Sequence, residues 1–331
     1  MLMISFGTRP EYIKIKPLLD TFKGKIPFKL LFTGQHVDLV SNLSDHDVVC
    51  LKIEDGPNRL DSIVQSIMNQ DEIFEGIDSV LIQGDTTSAF GVALAAFHRR
   101  LKVVHLEAGL RTYDNDNPFP EEFNRQAISR MASINLCPTE EAAECLRQER
   151  AIGSVHVVGN TVLDNLVGIP QTRTNKVVIT MHRRENHDKI PQWFSMFDKL
   201  AKDNPELEFI LPIHPNPKVK MHRDILQHVN VVDPMDHASF INLLASSFMV
   251  ITDSGGLQEE SSFFGKKCIV CREVTERAEG IGTFAFTCSP DLEQLEGLFY
   301  AIKNNPYPPV ACPYGDGYSS QRICKILMRE L

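Results

Sequence analysis

Acidic side chains that could accept and donate protons follow predicted strands in the first half of the chain. Asp85 and Glu107 each come shortly after a short apolar run, and Glu121 begins a proline-started helix farther on. Carboxylates at such positions can act as general bases and acids. Two structural alternatives stay open. Asp85 could cap the next helix, and Glu121 could pair with Arg125, four residues later, on a helix surface.

Cations accompany a glycine directly after the first predicted strand. Gly7 and Thr8 are followed by Arg9, and Lys14 lies one helical turn farther on. This combination suits a phosphate group, because glycine allows the backbone to approach closely and the two side chains supply positive charge. A solvated helix start is the structural alternative.

The second half contains the stretch FMVITDSGGLQEES, which predicts a buried strand, a glycine turn and a helix start. Asp253 and Ser254 both favour the N-cap position of a helix. Gly255 and Gly256 remove side chains where the backbone must turn. The unpaired N–H groups at such a helix start favour a phosphate, and Glu260 could reach a sugar hydroxyl. This stretch alone leaves open a strand-to-helix turn that binds no ligand.

Other predicted strand ends of the second half also carry polar groups. His182 is followed by two arginines, His214 by a rigid Pro-Asn-Pro turn, and Arg277 lies in a second charged turn. A histidine with cations at a strand end suits a pyrophosphate. Phe240, on the predicted helix before the glycine turn, could be a core residue or could cover a base.

No sequence motif indicates a metal, a redox centre or a nicotinamide cofactor. The chain has no HExxH, paired CxxC, EF-hand loop or GxSxG, and its first strand-turn-helix lacks GxGxxG. Cys268-x-x-Cys271 lies in an apolar run and is interpreted as packing. The polar residues instead favour a nucleoside diphosphate held by one domain, with its attached group presented to acid–base residues of another.

The elements that must position these residues are short, mostly non-alternating apolar runs separated by helical pattern. Such runs are typical of parallel strands buried on both faces. Two sets of six predict an α/β fold with two doubly wound Rossmann-like domains facing a cleft. The runs are Leu2–Phe6, Phe28–Phe32, Ser79–Ile82, Val103–Leu106, Ile134–Cys137, Val155–Val158, Val177–Met181, Leu207–Leu211, Val229–Val232, Phe248–Thr252, Lys267–Val270 and Thr283–Thr287.

A polar, proline-containing stretch that starts at Gly168 predicts the boundary between the two domains. We therefore expect an N-terminal domain over residues 1–167 with the acid–base groups, and a nucleotide-binding domain over residues 168–304. Residues 305–331 contain a Pro/Gly cluster and then a helix, which we expect to cross back to the first domain.

Composition and charge narrow the function classes further. The 331 residues are 43% hydrophobic and 23% charged, which is ordinary for a globular protein, and the net charge of −9 argues against a nucleic-acid surface. No signal peptide and no membrane span is predicted. The eight scattered cysteines indicate a reducing cytoplasm.

Nine sequence blocks in order make the chain similar to a known family. They are GTRPEYIKIKPL (7–18), TGQH (33–36), QGDTTS (83–88), HLEAGLRT (105–112), FPEEFNR (119–125), MHRREN (181–186), IHPNP (213–217), TDSGGLQEE (252–260) and TERAEG (275–280). The chain resembles the non-hydrolysing UDP-N-acetylglucosamine 2-epimerases. That resemblance implies a glycosyltransferase-B-like architecture, a UDP-sugar substrate, no cofactor, no metal and a homodimer.

The resemblance also implies a reaction and residue roles. The reaction is reversible inversion at sugar carbon 2, by elimination of UDP to a glycal and re-addition, for surface polysaccharide precursors. The implied catalytic residues are Asp85, Glu107, Glu121 and His182. The implied substrate-binding residues are Arg9, Lys14, Arg125, His214, Phe240, Ser254, Gly255, Gly256, Glu260 and Arg277.

Three alternatives remain beside the epimerase. They are a hydrolysing 2-epimerase that releases N-acetylmannosamine and UDP, a glycosyltransferase of similar fold, and a nucleotide-sugar sensor without catalysis. One departure from the family pattern follows the TGQH block, at Val37–Val40. In bacterial relatives this region contributes to a second, activating UDP-N-acetylglucosamine site, so we expect weak or absent activation.

Overall fold

Two parallel sheets, one in each of two units, organise the chain. The computed structural model describes residues 1–34, 43, 46–54, 56–272, 275, 277–305 and 311–331. The first unit consists of Met1–Asn165 and Gly315–Leu331, and the second of Leu166–Tyr314. The altered segment at Val37–Val40 lies outside the described residues. The expectation of weak or absent activation, which rests on this segment, therefore stays a prediction.

The first unit is a seven-stranded parallel sheet with crossover helices. Its strands are β1 (Leu2–Phe6), β2 (Phe28–Phe32), β3 (Val48–Cys50), β4 (Ser79–Gln83), β5 (Lys102–Leu106), β6 (Ile134–Cys137) and β7 (Ser154–Val157). Its helices before the chain leaves the unit are α1 (Arg9–Phe22), α2 (Arg59–Met68), α3 (Thr87–His98), α4 (Glu121–Ser129) and α5 (Glu140–Gln148). The strand order is β3-β2-β1-β4-β5-β6-β7. The order reverses between β1 and β4, which is where ligands bind in such sheets.

The second unit is a six-stranded parallel sheet of the same kind. Its strands are β8 (Lys176–Thr180), β9 (Glu208–Pro212), β10 (Asn230–Val232), β11 (Met249–Thr252), β12 (Cys268–Val270) and β13 (Ala285–Thr287). Its helices are α6 (Ile190–Asp203), α7 (Pro217–Lys220), α8 (His237–Ser246), α9 (Gly255–Phe263) and α10 (Leu292–Asn304). The strand order is β10-β9-β8-β11-β12-β13, so the reversal lies between β8 and β11.

These sheets confirm the predicted α/β class with two doubly wound domains. Each of the twelve apolar runs coincides with or overlaps a strand. The remaining strand, β3, was not predicted. It is three residues long, only partly buried, and pairs with β2 at the sheet edge, so its sequence carries little strand pattern.

Helix α1 shows how local sequence places polar groups at a strand end. Thr8 caps the helix, Glu11 completes a capping box, and Pro10 occupies the first turn, where a missing N–H has no consequence. Its inner face buries Ile15, Leu18, Leu19 and Phe22, spaced at the helical period. This face fixes α1 on the sheet, and the capped end therefore stays at the carboxyl end of β1.

The chain returns to the first unit at its end. Helix α11 (Ser319–Glu330) buries Ile323, Cys324 and Leu327 in the same hydrophobic cluster as the inner face of α1. The divisions between the units fall at Asn165/Leu166 and Tyr314/Gly315, whereas the sequence favoured residues 168 and 305. Asn165, the last residue of the first segment of this unit, donates from its side chain to the carbonyl of Ile13.

All eight cysteines are free, and Cys268 and Cys271 are buried, as the packing interpretation expects. None of the described helices is both long and apolar enough to cross a bilayer.

Candidate active site

The carboxyl ends of β1, β4 and β5 in the first unit bring charged side chains together. Glu107 directly follows β5, and its Oε2 accepts hydrogen bonds from Lys14 Nζ and Gln83 Nε2. The side chain of Glu107 is 7% exposed and that of Lys14 is 16% exposed. A mostly desolvated carboxylate beside an ammonium group is a pair that can hold and transfer a proton.

The backbone of Glu107 is held in an unusual conformation. Its φ of +65° lies in the left-handed region, which residues other than glycine rarely adopt. Strained residues of this kind cluster at functional sites, where the surrounding structure fixes them. The conformation turns the chain directly after the buried strand, and Glu107 is thereby presented at the sheet end.

Asp85 is held by a buried arginine at the end of β4. Arg125 Nε donates to Asp85 Oδ2 at 3.1 Å, and Arg125 Nη1 donates to Glu122 Oε2 at 3.2 Å. Asp85 does not cap α3, because the cap is Thr86, whose hydroxyl accepts from Ala89 N. Arg125 is 4% exposed, so it is not part of the surface pair that the spacing left open.

Glu121, the third predicted carboxylate, is the first residue of α4. It is partly buried, whereas the next residue, Glu122, is fully buried. Two consecutive acidic residues at this helix start are favoured by the helix dipole. Glu122 is the more deeply buried of the two, although one carboxylate oxygen of Glu121, Oε2, is buried as well.

Glu122 is a functional candidate that the sequence reasoning missed. Its carboxylate accepts from Thr112 N at 3.0 Å, Tyr113 N at 3.1 Å and Gln126 Nε2 at 2.8 Å. Burial by itself raises the pKa of Glu122, but these hydrogen bonds and the charge of Arg125 outweigh it, so the net pKa is lowered. An ionised Glu122 therefore ties the loop after Glu107 to the arginine that holds Asp85.

Glu11 is a second buried carboxylate that was not singled out. It accepts from Gly7 N at 3.0 Å, Thr8 N at 2.7 Å and Thr86 Oγ1 at 2.8 Å. Burial raises the pKa of Glu11, and the hydrogen bonds partly oppose that effect. The contacts join the turn after β1 to the turn after β4. The Thr-x-x-Glu capping box was the available sequence signal. Arg9, the first residue of α1, is exposed.

His105 is a buried residue that contacts the turn after β4. It is fully buried on β5, and its Nε2 lies 2.8 Å from the carbonyl of Gly84, the residue before Asp85. Burial lowers the pKa of His105 to about 4, opposed by the hydrogen bond to Gly84. The ring is therefore neutral at physiological pH, with its Nε2–H donating to Gly84.

The lowered pKa of His105 predicts a loss of stability in acid. The unfolded chain takes up a proton at His105 below about pH 6.5, whereas the folded chain resists protonation until about pH 4. The unfolded state binds more protons between these two pH values. The free energy of unfolding therefore decreases as the pH is lowered from about 6.5 to about 4, by up to about 3 kcal/mol. Urea unfolding of wild type and His105→Gln across this range measures the effect. Gln keeps an N–H donor but does not titrate, so we expect a smaller fall. Equal falls would contradict the assignment.

In the second unit, the strand-to-helix turn at Ser254 has the form that the sequence predicted. Ser254 precedes α9, and its backbone N–H donates to Thr252 Oγ1 at 2.9 Å. Within the described residues its hydroxyl makes no capping bond. Open space surrounds the position that a side chain at Gly256 would occupy. Ser254 and Gly256 are only partly buried, and a helix start of this kind favours an anion such as a phosphate.

Asp253 does not cap α9, contrary to the sequence-based expectation. It is fully buried, and its Oδ2 accepts from His182 N at 3.0 Å and Arg183 N at 2.8 Å. Its Oδ1 lies 3.2 Å from His182 Nδ1. Burial raises the pKa of Asp253, but the hydrogen bonds and charge of His182 and the amide of Arg183 lower it overall. Asp253 is therefore an ionised anchor for the turn after β8.

His182 and His214 form a stacked pair at the ends of β8 and β9. Their ring centroids are 5.6 Å apart, with 24° between the ring planes. Burial and the neighbouring His182 lower the pKa of His214. His214 thus favours the neutral ring, and the pair places ring nitrogens beside the strand reversal.

The remaining predicted residues of the second unit lie on or near α8 and α9. Arg277 is 6% exposed, and its Nε donates to Glu259 Oε1 at 2.7 Å. At least that donor is therefore engaged by the protein. Glu260 is buried on α9, with His237 Nε2 3.9 Å from its Oε1. Phe240 is half-buried on α8.

Each unit therefore gathers its own set of predicted residues. In the first unit, Lys14 lies with Glu107 and Arg125 lies with Asp85. In the second, His182 lies with His214, beside the turn that Asp253 anchors. Among the described residues, no group of three His, Cys, Asp or Glu side chains could hold a metal ion. The chemistry available is proton transfer in the first unit and anion binding in the second.

Comparison with known proteins gives consistent results over the whole chain. A family model described as UDP-N-acetylglucosamine 2-epimerase matches residues 22–328. The UDP-N-acetylglucosamine 2-epimerase of Campylobacter jejuni is 32% identical over 373 residues, covering 99% of this chain and 97% of that protein. The solved UDP-GlcNAc 2-epimerase of Neisseria meningitidis, bound to UDP-GlcNAc, has a TM-score of 0.88 at 30% identity, covering 99% of each chain.

A more distant structure shares the fold alone. The glycotransferase of kitacinnamycin is 11% identical, with a TM-score of 0.67, and the match covers 100% of this chain and 98% of that one. This likeness agrees with the glycosyltransferase-B-like class expected from the sequence.

Proposed function

From the premise that this chain belongs to the UDP-N-acetylglucosamine 2-epimerase family, we propose that it interconverts UDP-N-acetylglucosamine and UDP-N-acetylmannosamine by inverting carbon 2 of the sugar. The observation that carries the proposal is the pairing of two carboxylates with cations at neighbouring strand ends, Glu107 with Lys14 and Asp85 with Arg125. These pairs supply the proton-transfer groups that an inversion at carbon requires.

The proposed chemistry is an elimination followed by re-addition. The proton on carbon 2 is not acidic, because no carbonyl adjoins this carbon within the ring. A base removes that proton while the bond from carbon 1 to the diphosphate oxygen breaks, and its electron pair leaves with UDP. The carbon–carbon double bond of a glycal forms between carbons 1 and 2. Return of UDP to carbon 1 and of a proton to the other face of carbon 2 gives the epimer.

Inversion requires at least two proton-transfer groups, one for each face of the ring. Asp85, Glu107 and Glu121 are the proposed candidates. The hydrogen bond from Lys14 makes Glu107 suited to hold negative charge near a developing positive charge at carbon 1. We propose that Lys14 and Arg125 also contact the sugar side of the substrate, in addition to holding the two carboxylates.

The second unit is the proposed UDP-binding part. The hydroxyl of Ser254 and the N–H groups of Gly255 and Gly256 suit the diphosphate, because a helix start favours negative charge. We assign Glu260 to the ribose and Phe240 to the uracil. The proposed additional diphosphate contacts are Arg9, His182, His214 and Arg277. Cations and N–H donors there stabilise the departing UDP, on which the elimination depends.

We propose the non-hydrolysing reaction, a homodimeric assembly and a role in supplying surface polysaccharide precursors. The HLEAGLRT and MHRREN blocks support the non-hydrolysing branch. The alternative is a hydrolysing 2-epimerase, in which water traps the glycal and free N-acetylmannosamine accumulates. The two differ in their products, so one experiment separates them.

Proton NMR of the purified protein with UDP-N-acetylglucosamine in heavy water tests this function. We expect UDP-N-acetylmannosamine to appear and deuterium to enter at carbon 2 of both epimers, because the proton returns from solvent. Accumulation of free N-acetylmannosamine and UDP would establish the hydrolysing alternative. Unchanged substrate without deuterium would contradict both.

A further inference from the structure

The two stacked histidines of the second unit have opposite hydrogen-bond partners. His182 Nδ1 lies 3.2 Å from a carboxylate oxygen, Asp253 Oδ1. His214 Nδ1 instead accepts a hydrogen bond from the backbone N–H of Asn216, also at 3.2 Å. The carboxylate of Asp253 can only accept a hydrogen bond, whereas the backbone N–H of Asn216 can only donate one. These two partners therefore determine which nitrogen of each ring carries the hydrogen.

We propose that His182 and His214 are held in opposite tautomers and that Asp253 is the positioning residue that sets the tautomer of His182. The hydrogen of neutral His182 lies on Nδ1, which leaves Nε2 as an acceptor. The hydrogen of neutral His214 lies on Nε2, which makes that nitrogen a donor. The proposal deepens the proposed function and rests on it for its consequence, namely how this site treats a nucleoside diphosphate.

Asp253 is built to hold this geometry. Its side chain is fully buried from solvent. The backbone N–H groups of His182 and Arg183 and the side-chain amide of Asn186 (3.2 Å) all donate hydrogen bonds to it. Asn186 is itself fixed, because it also donates to the carbonyl of Cys271 at 3.0 Å. Each of these groups is a donor, so the aspartate must stay an acceptor and the remaining contact must also be a donor, His182 Nδ1–H.

Opposite tautomers give the pair complementary roles toward a diphosphate. The Nε2–H of His214 donates a hydrogen bond without needing a positive charge, in keeping with the lowered pKa of that ring. The Nε2 of His182 can accept a proton, and the resulting positive charge is compensated by Asp253 behind the ring. One ring therefore donates in its neutral form, while the other can carry the charge that a departing UDP requires.

The tautomers are measurable in the unaltered protein without substrate. Long-range proton–nitrogen correlation spectra of protein labelled with ¹⁵N-histidine, assigned with His182→Gln and His214→Gln, distinguish the two ring nitrogens. For the neutral rings, we expect His182 with its hydrogen on Nδ1 and His214 with its hydrogen on Nε2. Finding the hydrogen of wild-type His182 on Nε2 would overturn the proposal, whatever the enzyme activity proves to be.

A double-mutant cycle tests whether Asp253 acts through His182. Loss of a hydrogen bond to a charged group predicts a fall of about 10- to 100-fold in UDP affinity or turnover for Asp253→Asn. We expect the double variant Asp253→Asn/His182→Gln to be no weaker than His182→Gln alone. Losses that multiply in the double variant would contradict a role through His182. Asp188→Asn, an exposed carboxylate in the same turn, is the matched control and should behave as wild type.

Discussion

Replacing Asp85 by Asn, or Glu107 by Gln, is expected to lower epimerase turnover by ~10²-fold or more, as for removed general acids and bases. Each substitution keeps the size of the side chain and removes its ability to take a proton. Glu107 would also lose the charge that Lys14 contacts, and Asp85 the charge that Arg125 contacts. Steady-state rates with UDP-N-acetylglucosamine, together with calorimetric titration of UDP, measure the effect.

UDP affinity is the discriminating quantity in this experiment. We assign UDP binding to the second unit, so both variants should bind UDP as wild type does while turnover falls. Asp116→Asn and Glu141→Gln, exposed carboxylates of the first unit, are the matched controls and should leave turnover unchanged. Wild-type turnover in Asp85→Asn and Glu107→Gln would remove both carboxylates from the chemistry.

The architecture could be predicted from the sequence because parallel strands buried on both faces leave a strong local signal. Runs such as Ile134–Cys137 are mostly apolar and are buried along their whole length, and the helices between the strands carry their own period. The edge strand β3 gives no such signal, because it is short and half-solvated. The glycine turn at Ser254 was also predictable, since its strand, cap and glycines lie within a few residues of one another.

The partners of the site residues could not be predicted, because they lie far apart in the sequence. Lys14 and Glu107 are separated by 93 residues, and Asp85 and Arg125 by 40. Residue type and spacing indicated that these groups are charged and lie at strand ends, but not which of them would meet. The structure adds that Arg125 is buried between two carboxylates, a position that helical spacing alone would assign to a surface pair.

Two buried carboxylates show the limit of motif reasoning more directly. Glu11 and Glu122 each stand next to residues that were singled out, yet each serves by accepting backbone and side-chain donors from other turns. Asp253 similarly reads as a helix cap in sequence but accepts from the turn after β8. A helix cap can be predicted because its partners are close in sequence. The hydrogen-bond donors to a buried carboxylate come from segments that are distant in sequence, so they cannot be predicted in the same way.

Arg125→Met is expected to destabilise the first unit by about 3–5 kcal/mol, the usual effect of removing one partner of a buried ion pair. Glu122 would remain ionisable and fully buried without its guanidinium partner, while the methionine fills the same space. Asp85 would also lose the donor that orients it, so turnover should fall together with stability. Hydrogen exchange resolved by segment, compared for peptides from α4 and from the second unit, measures where stability is lost.

The comparison with a surface arginine makes this prediction decisive. Arg147 forms ion pairs with Glu140 and Glu144 on the exposed face of α5, where solvent screens such pairs, so Arg147→Met should have little effect. Adding Glu122→Gln to Arg125→Met removes the buried charge, and we expect the double variant to recover part of the lost stability. If Arg125→Met leaves stability unaltered and only weakens binding of the UDP-sugar, then Arg125 acts on the substrate directly. The positioning of Asp85 would in that case have to come from Asn124, whose side chain donates to the Asp85 carbonyl at 2.9 Å.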